Sequence, residues 1–186
     1  MRVLELKTEF QENPLGIHRL NPFLQWKLED QRRAAGQTAY QIIVSDNRDR
    51  IDKEQGNTWD SGKIFSEQSV HVPYHGPEPE SGKTYYWKVR VWDQTGKMTP
   101  WSEAASWEMG LLNEDDWQAQ WIARSADNPG RSVYMRKEFE IPSKAIKKAR
   151  VYVTGLGNYV FQINGEKVGK DLLTPGWTHY PKRLEY

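Results

Sequence analysis

The chain has 186 residues, with 26 Lys plus Arg balanced by 25 Asp plus Glu and no cysteine. Near-zero net charge suggests no polyanion partner, and no basic run interleaved with aromatics suggests nucleic acid. The missing cysteines exclude a disulfide framework and thiolate chemistry, and no apolar run approaches membrane-spanning length, so no membrane role is expected. The N-terminus, Met1-Arg2-Val3-Leu4-Glu5-Leu6-Lys7, lacks the apolar core of a signal peptide, and the expectation is a cytoplasmic protein. Nine Trp, nine Tyr and five Phe make the chain rich in aromatics. Most of them fall on the apolar phase of predicted strands, which makes them core before they are anything else.

In chain order, Val3–Phe10 reads as an edge strand, and 11–21 as a loop ending in Asn21-Pro22. Phe23–Leu28 places Leu24, Trp26 and Leu28 in one phase. Thr38–Ser45 directs Tyr40, Ile42 and Val44 inward and Gln41 and Ile43 outward. The polar stretch 46–57 has room for one helical turn. Trp59-Asp60 is a short strand before the turn Ser61-Gly62-Lys63, and Ser69–Tyr74 alternates again through Val70, Val72 and Tyr74. The most regular stretch is Ser81–Asp93. Its turn, Ser81-Gly82-Lys83, precedes Tyr85, Trp87, Val89 and Val91 on one face and Tyr86, Lys88, Arg90 and Trp92 on the other. Asp93-Gln94-Thr95-Gly96 closes it, and Ala104–Gly110 is the last strand of the segment.

Seven short strands with turn signals about every ten residues, and no long amphipathic helix, predict a fibronectin type III-like β-sandwich over residues 1–110. Its expected core is Trp26, Tyr40, Ile42, Val44, Val70, Val72, Trp87, Val89, Val91 and Trp107, with Trp26 and Trp87 on facing sheets. Tyr85 stands where a tyrosine corner would bond its hydroxyl to upstream backbone. An acidic linker, 111–116, follows. Residues 117–186 read as a second, incomplete jelly-roll-like β-sandwich, so the whole chain is all-β. Its expected elements include a strand marked by Val133, Met135, Phe139 and Ile141, a helical turn over 142–148, a strand over 150–154, a return over 159–163 and a hairpin at Asn164-Gly165. An exposed loop is expected over 125–131. Too few strands are visible to close a second sandwich, so Val151, Val153, Phe161 and Ile163 are expected to lack cover on one side, which favours self-association.

Few residues suggest chemistry. Gly155-Leu156-Gly157 leads into a strand, not a helix N-terminus, so it provides no phosphate cradle. His71 and His75 lie four apart without a Cys or a paired carboxylate close in sequence, which gives no metal site. His18 and His179 belong to loops. The serines at 61 and 81 are turn residues with no nucleophile elbow around them. Glu114, Asp115 and Asp116 have the composition of an acid-base or cation site, but a charged linker explains them more simply. No catalytic, cofactor-binding or metal-binding residue and no cofactor is assigned. The aromatics whose burial the pattern leaves open are Trp92, Trp177 and Tyr180, candidates for a carbohydrate platform or an interface.

The motifs occur in a telling order. Asn13-Pro14-Leu15-Gly16-Ile17, then 37–42 (QTAYQI), Trp59-Asp60-Ser61-Gly62-Lys63, 86–93 (YWKVRVWD), Trp101-Ser102 and Trp117-x-Ala119-x-Trp121-Ile122 together resemble the N-terminal region of bacterial α-L-rhamnosidases. The run from Gly155-Leu156-Gly157 through Ile163-Asn164-Gly165, Val168-Gly169 and Pro175-Gly176-Trp177-Thr178 resembles the accessory β-sandwich that follows in that family. The resemblance implies an inverting glycoside hydrolase whose acid and base sit on a downstream (α/α) barrel. None of the Asp or Glu residues here matches a catalytic motif, so the expectation is a non-catalytic N-terminal fragment that braces the catalytic domain. The rival readings are a carbohydrate-binding module for a rhamnosylated glycan or glycoside and a free-standing fibronectin-like interaction module. Against the second, no internal repeat is present.

Overall fold

A computed structural model describes residues 1–123, 132–141 and 145–186. The chain divides into two compact units, Met1–Ala123 and Arg124–Tyr186. In the first unit the strands are β1 (Arg2–Thr8), β2 (Phe23–Glu29), β3 (Gln37–Ser45), β4 (Trp59–Asp60), β5 (Val72–Pro73), β6 (Thr84–Asp93) and β7 (Ala105–Glu108). One short helix, α1 (Arg48–Asp52), follows β3 and is capped by the Asn47 side chain, which accepts from the Arg50 N–H at 3.2 Å. The strands form two sheets, ordered β1-β2-β5 and β4-β3-β6-β7, with antiparallel pairing throughout. This is the expected fibronectin type III-like sandwich.

Strand β6 has the period of two that its sequence predicts: Tyr85, Trp87, Val89, Val91 and Asp93 are buried, and the alternate residues are half-exposed. Gly82 takes a φ of +64° in the turn that starts it. On β3, Tyr40, Ile42 and Val44 pair with Val91, Val89 and Trp87, so all six share the inner face. Trp26 on β2 and Trp87 on β6 are both buried, on the two facing sheets. The Trp26 indole N–H donates to Gln37 Oε1 at 3.0 Å, and the Gln37 amide donates to the carbonyls of Ser66 and Gln68 at 3.0 and 2.9 Å. A buried amide with its donors and acceptor engaged adds specificity without leaving an orphan polar group. The tyrosine corner is present: the Tyr85 hydroxyl accepts the Glu80 backbone N–H at 2.9 Å, and its ring stacks on Trp107 at 5.3 Å.

The sheets are also clamped by charge. Arg32, in the turn after β2, donates to Asp30 and to Asp93 at 2.7 Å each, joining one sheet to the end of the other. Asp93 Oδ1 accepts from the backbone of Thr95 and Lys97 and from the Thr95 hydroxyl, which folds the turn after β6. The Thr95 hydroxyl and the Arg32 guanidinium hold the Asp93 carboxyl well below the ordinary carboxylate range, and Arg32 does the same to Asp30.

Two expectations about the sandwich fail. Val70 is 50% exposed, not core. His71 adopts a φ of +56°, a left-handed residue that breaks the alternation between Val70 and Val72, so the pairing with β2 is limited to Val72 and Pro73. Ile43, expected outside, is buried, because the returning backbone at Gly56 lies against its Cβ and α1 packs on β3. The outer face of this sheet is therefore covered at its α1 end.

The second unit is organised around one hairpin. β8 (Gln162–Ile163) and β9 (Glu166–Lys167) pair across Asn164 and Gly165, whose φ values of 51° and 84° suit the type I′ turn their sequence predicts. A bridge joins Tyr159 to Thr174, and the Tyr159 hydroxyl donates to the Val153 carbonyl at 3.2 Å. The predicted strand through Val133, Met135, Phe139 and Ile141 does not form; all four are exposed without ladder partners among the described residues. The strand expected over 150–154 is likewise unpaired, and that over 159–163 shortens to the Tyr159 bridge and β8. No strand forms through Trp117, Ala119 and Trp121 in the first unit either. Alternating apolar residues make a strand only where a neighbour supplies hydrogen bonds and cover. The exposed loop expected over 125–131 lies outside the described residues, as does part of the expected helical turn, 142–144. Among the described residues, no helix is long and apolar enough to cross a membrane.

Candidate functional site

The three aromatics singled out in the sequence occupy different settings. Trp92 is half-buried on the outer face of the β4-β3-β6-β7 sheet, opposite Ala39. Lys63, delivered by the turn after β4, places its Nζ 4.5 Å from the Trp92 ring centroid and 4.9 Å from that of Phe65. Arg90, two residues before Trp92 on the same face, lies 5.4 Å from the Trp92 centroid and 4.5 Å from that of Trp101. The result is a ladder of Phe65, Lys63, Trp92, Arg90 and Trp101, each cation lying over the rings beside it.

Arg90 is pinned from behind as well. Its Nε and Nη2 both donate to Gln41 Oε1, at 3.0 and 2.7 Å, and the Gln41 amide donates to Asp60 Oδ1 at 2.7 Å. Gln41 faces Arg90 across the β3–β6 ladder, so strand register alone brings the two together. Sequence reasoning found Trp92 but missed Lys63, Arg90 and Gln41 as its partners. Strand phase pointed to Arg90 and Gln41, since both lie on the outward phase; no local pattern pointed to Lys63 or Trp101, which arrive from loops.

Trp177 and Tyr180 belong to the second unit. Trp177 is 92% exposed and Tyr180 is half-buried. The structure assigns them no ring contact with each other, so they do not form a joint platform.

Several carboxylates are occupied by structural work. Asp116 accepts from the Ser81 hydroxyl and, at 2.9 Å, from the Asn113 backbone N–H, and the Ser81 hydroxyl lowers its pKa. Ser81 in turn accepts the Leu112 N–H at 2.7 Å, so the acidic stretch is tied to the sandwich at the turn that starts β6. Glu5 pairs with Lys27, Asp46 with Lys83, and Asp52 with Arg48. His71 packs against Phe10 and Phe23, and His75 against Trp59. Among the described residues, no group of three or more His, Cys, Asp or Glu could hold a metal ion. A groove of about 650 Å³ runs beside β1 and the 99–105 segment, lined by Val3, Leu4, Leu6, Trp101, Glu103 and Ala105 among others.

Comparison with known proteins agrees with this architecture. Residues 3–113 match the family described as Rha78A-like, N-terminal immunoglobulin domain, and residues 144–186 match the α-L-rhamnosidase N-terminal domain. An α-L-rhamnosidase of Formosa agariphila is 37% identical over 184 residues, covering 94% of this chain and 20% of the relative. The solved α-L-rhamnosidase of Dictyoglumus thermophilum superposes with a TM-score of 0.87 at 40% identity, over 97% of this chain and 22% of that one. The Streptomyces avermitilis enzyme, solved with L-rhamnose, gives a TM-score of 0.62 at 37% identity, over 66% of this chain and 12% of its own. The chain thus spans about a fifth of the length of the first relatives it matches. With a matching sandwich over more than half its length, the chain belongs to the family of Rha78A-like N-terminal immunoglobulin domains, with α-L-rhamnosidase N-terminal domain sequence behind it.

Proposed function

We propose that the chain is the non-catalytic N-terminal accessory region of an α-L-rhamnosidase, and that it braces a catalytic (α/α) barrel farther along the same protein. The observation that carries this reading is the alignment of nearly the whole chain with about a fifth of the Formosa agariphila and Dictyoglumus thermophilum relatives. The side-chain chemistry supports it. Glycoside hydrolysis needs two carboxyl groups held several ångströms apart across a bound sugar, whereas the carboxylates described above close turns and ion pairs. The purified chain should not turn over an aryl α-L-rhamnoside; turnover abolished by one Asp or Glu substitution within the chain would contradict the reading.

The finer proposals concern partners. Trp177, exposed in the second unit, supports a contact with a rhamnosylated glycan; titrating L-rhamnose against tryptophan fluorescence, with Trp177→Ala as control, tests it. Val151, Val160 and Ile163, exposed around the hairpin, support self-association of that unit when nothing else covers it. Light scattering tests this: a strictly monomeric species at high concentration is the contradicting result.

A further inference from the structure

The outer face of the β4-β3-β6-β7 sheet carries three cations near Asp60, whose Oδ1 is engaged by the Gln41 amide and the Gly62 N–H. Lys63, Lys88 and Arg90 project from it, and among the described residues none has a carboxylate oxygen within the 4.0 Å of an ion pair. Elsewhere on the first unit, Arg32, Arg48, Lys27 and Lys83 all have one. Two of the three, Lys63 and Arg90, are also held in place. Arg90 has two indoles and Gln41 fixing its plane, and Lys63 has two rings. A guanidinium offers five N–H donors, and Gln41 takes only two of them. The remaining donors form a preset fork of the shape that a carboxylate accepts, with little side-chain entropy left to lose on binding. Lys88 lies two residues away on the same face of β6, about 7 Å along the strand.

From this geometry we propose that the ladder is a docking surface for an acidic protein segment, with Arg90 as its central carboxylate receptor and Lys63 and Lys88 as flanking charges. Charge complementarity selects an acidic partner. The arrangement of the rings selects protein over glycan: a sugar stacks on an open aromatic face, and here the cations lie over the indole faces. Arg and Trp are also the residues that dominate protein interfaces.

The probe is a hexaglutamate peptide added to the isotopically labelled intact chain at low salt, followed by the indole and guanidinium N–H resonances. Saturable shifts are expected for Arg90, Trp92 and Trp101 but not for Trp26, whose N–H is committed to Gln37 in the core. Arg90→Gln should weaken binding about tenfold and Lys63→Gln about threefold, and salt beyond the Debye regime should remove it. Arg90→Lys, which keeps the charge but not the fork, should fall between wild type and Arg90→Gln. Lys27→Gln, on the other sheet, should bind as wild type. Absence of saturable shifts overturns the proposal, as does equal weakening by Lys27→Gln. Selective binding of an oligogalacturonide over hexaglutamate would also overturn it, since that result would make the face a glycan site.

Discussion

In the first unit Trp26, Trp87 and Trp107 are at most 2% exposed, whereas in the second Trp177 is 92% exposed. Among the described residues of the second unit only Pro175 is buried. Both units contain alternating apolar residues, turn glycines and tyrosines, so composition does not separate them. What separates them is cover. Each inner face of the sandwich finds another inner face, and the hydrophobic term is realised in full. The second unit has one hairpin and a bridge, and its Val, Leu and Ile side chains meet no opposing sheet among the described residues. Strand propensity without a partner surface leaves a chain extended but unpaired.

The largest expected break in this comparison is at Trp26. Trp26→Ala should destabilise the first unit by about 3–5 kcal/mol, a transfer term plus a cavity term, and should also leave Gln37 Oε1 without its donor. Chemical denaturation followed by the near-ultraviolet signal of the core measures it. Next comes Tyr85→Phe, expected to cost about 1–3 kcal/mol with the fold retained, because the part-buried Glu80 N–H loses its acceptor. An unchanged melting temperature would show that water replaces the hydroxyl.

The Arg32 clamp gives a pH signature. Asp30 and Asp93 have pKa values held below the ordinary value of 3.8. The unfolded chain therefore takes up protons first as pH falls, so the stability the pair contributes is present above the ordinary value and is lost progressively as pH falls below it toward the lowered native values. Melting temperature recorded from neutral to acid pH should fall in that window. Asp93→Asn should lower the neutral plateau and flatten the acid slope; an unchanged slope would show that other carboxylates govern acid unfolding. The smallest effect is expected at Trp177→Ala, within about 0.5 kcal/mol, since an exposed indole away from any packed feature has little to lose. A larger loss would mean that the second unit buries Trp177 in solution.

Much of the first unit is legible in sequence because its strands are amphipathic and bounded by turn residues. Trp87, Val89 and Val91 announce their face, and Asn164-Gly165 announces its hairpin. Val70 misleads because a left-handed His71 breaks a pattern that no residue type signals. Ile43 misleads because its cover comes from a loop and a five-residue helix, which a two-sheet reading does not include. The candidate surface is half legible: Trp92, Arg90 and Gln41 follow from strand phase and register, but Lys63 and Trp101 come from loops, where no strand phase applies. In the second unit the alternation of Val133, Met135, Phe139 and Ile141 is a statement about propensity, and pairing is a property of neighbours.

The most direct test of this contrast is hydrogen exchange of the intact chain, at a dilution where light scattering shows a monomer. The account predicts that the amides of Ile42, Val44, Trp87 and Val89 exchange only through global unfolding of the sandwich, while those of Tyr152, Phe161 and Val168 exchange through low-energy local opening. Equal protection in the two units would contradict it, since the second unit would then close a core of its own.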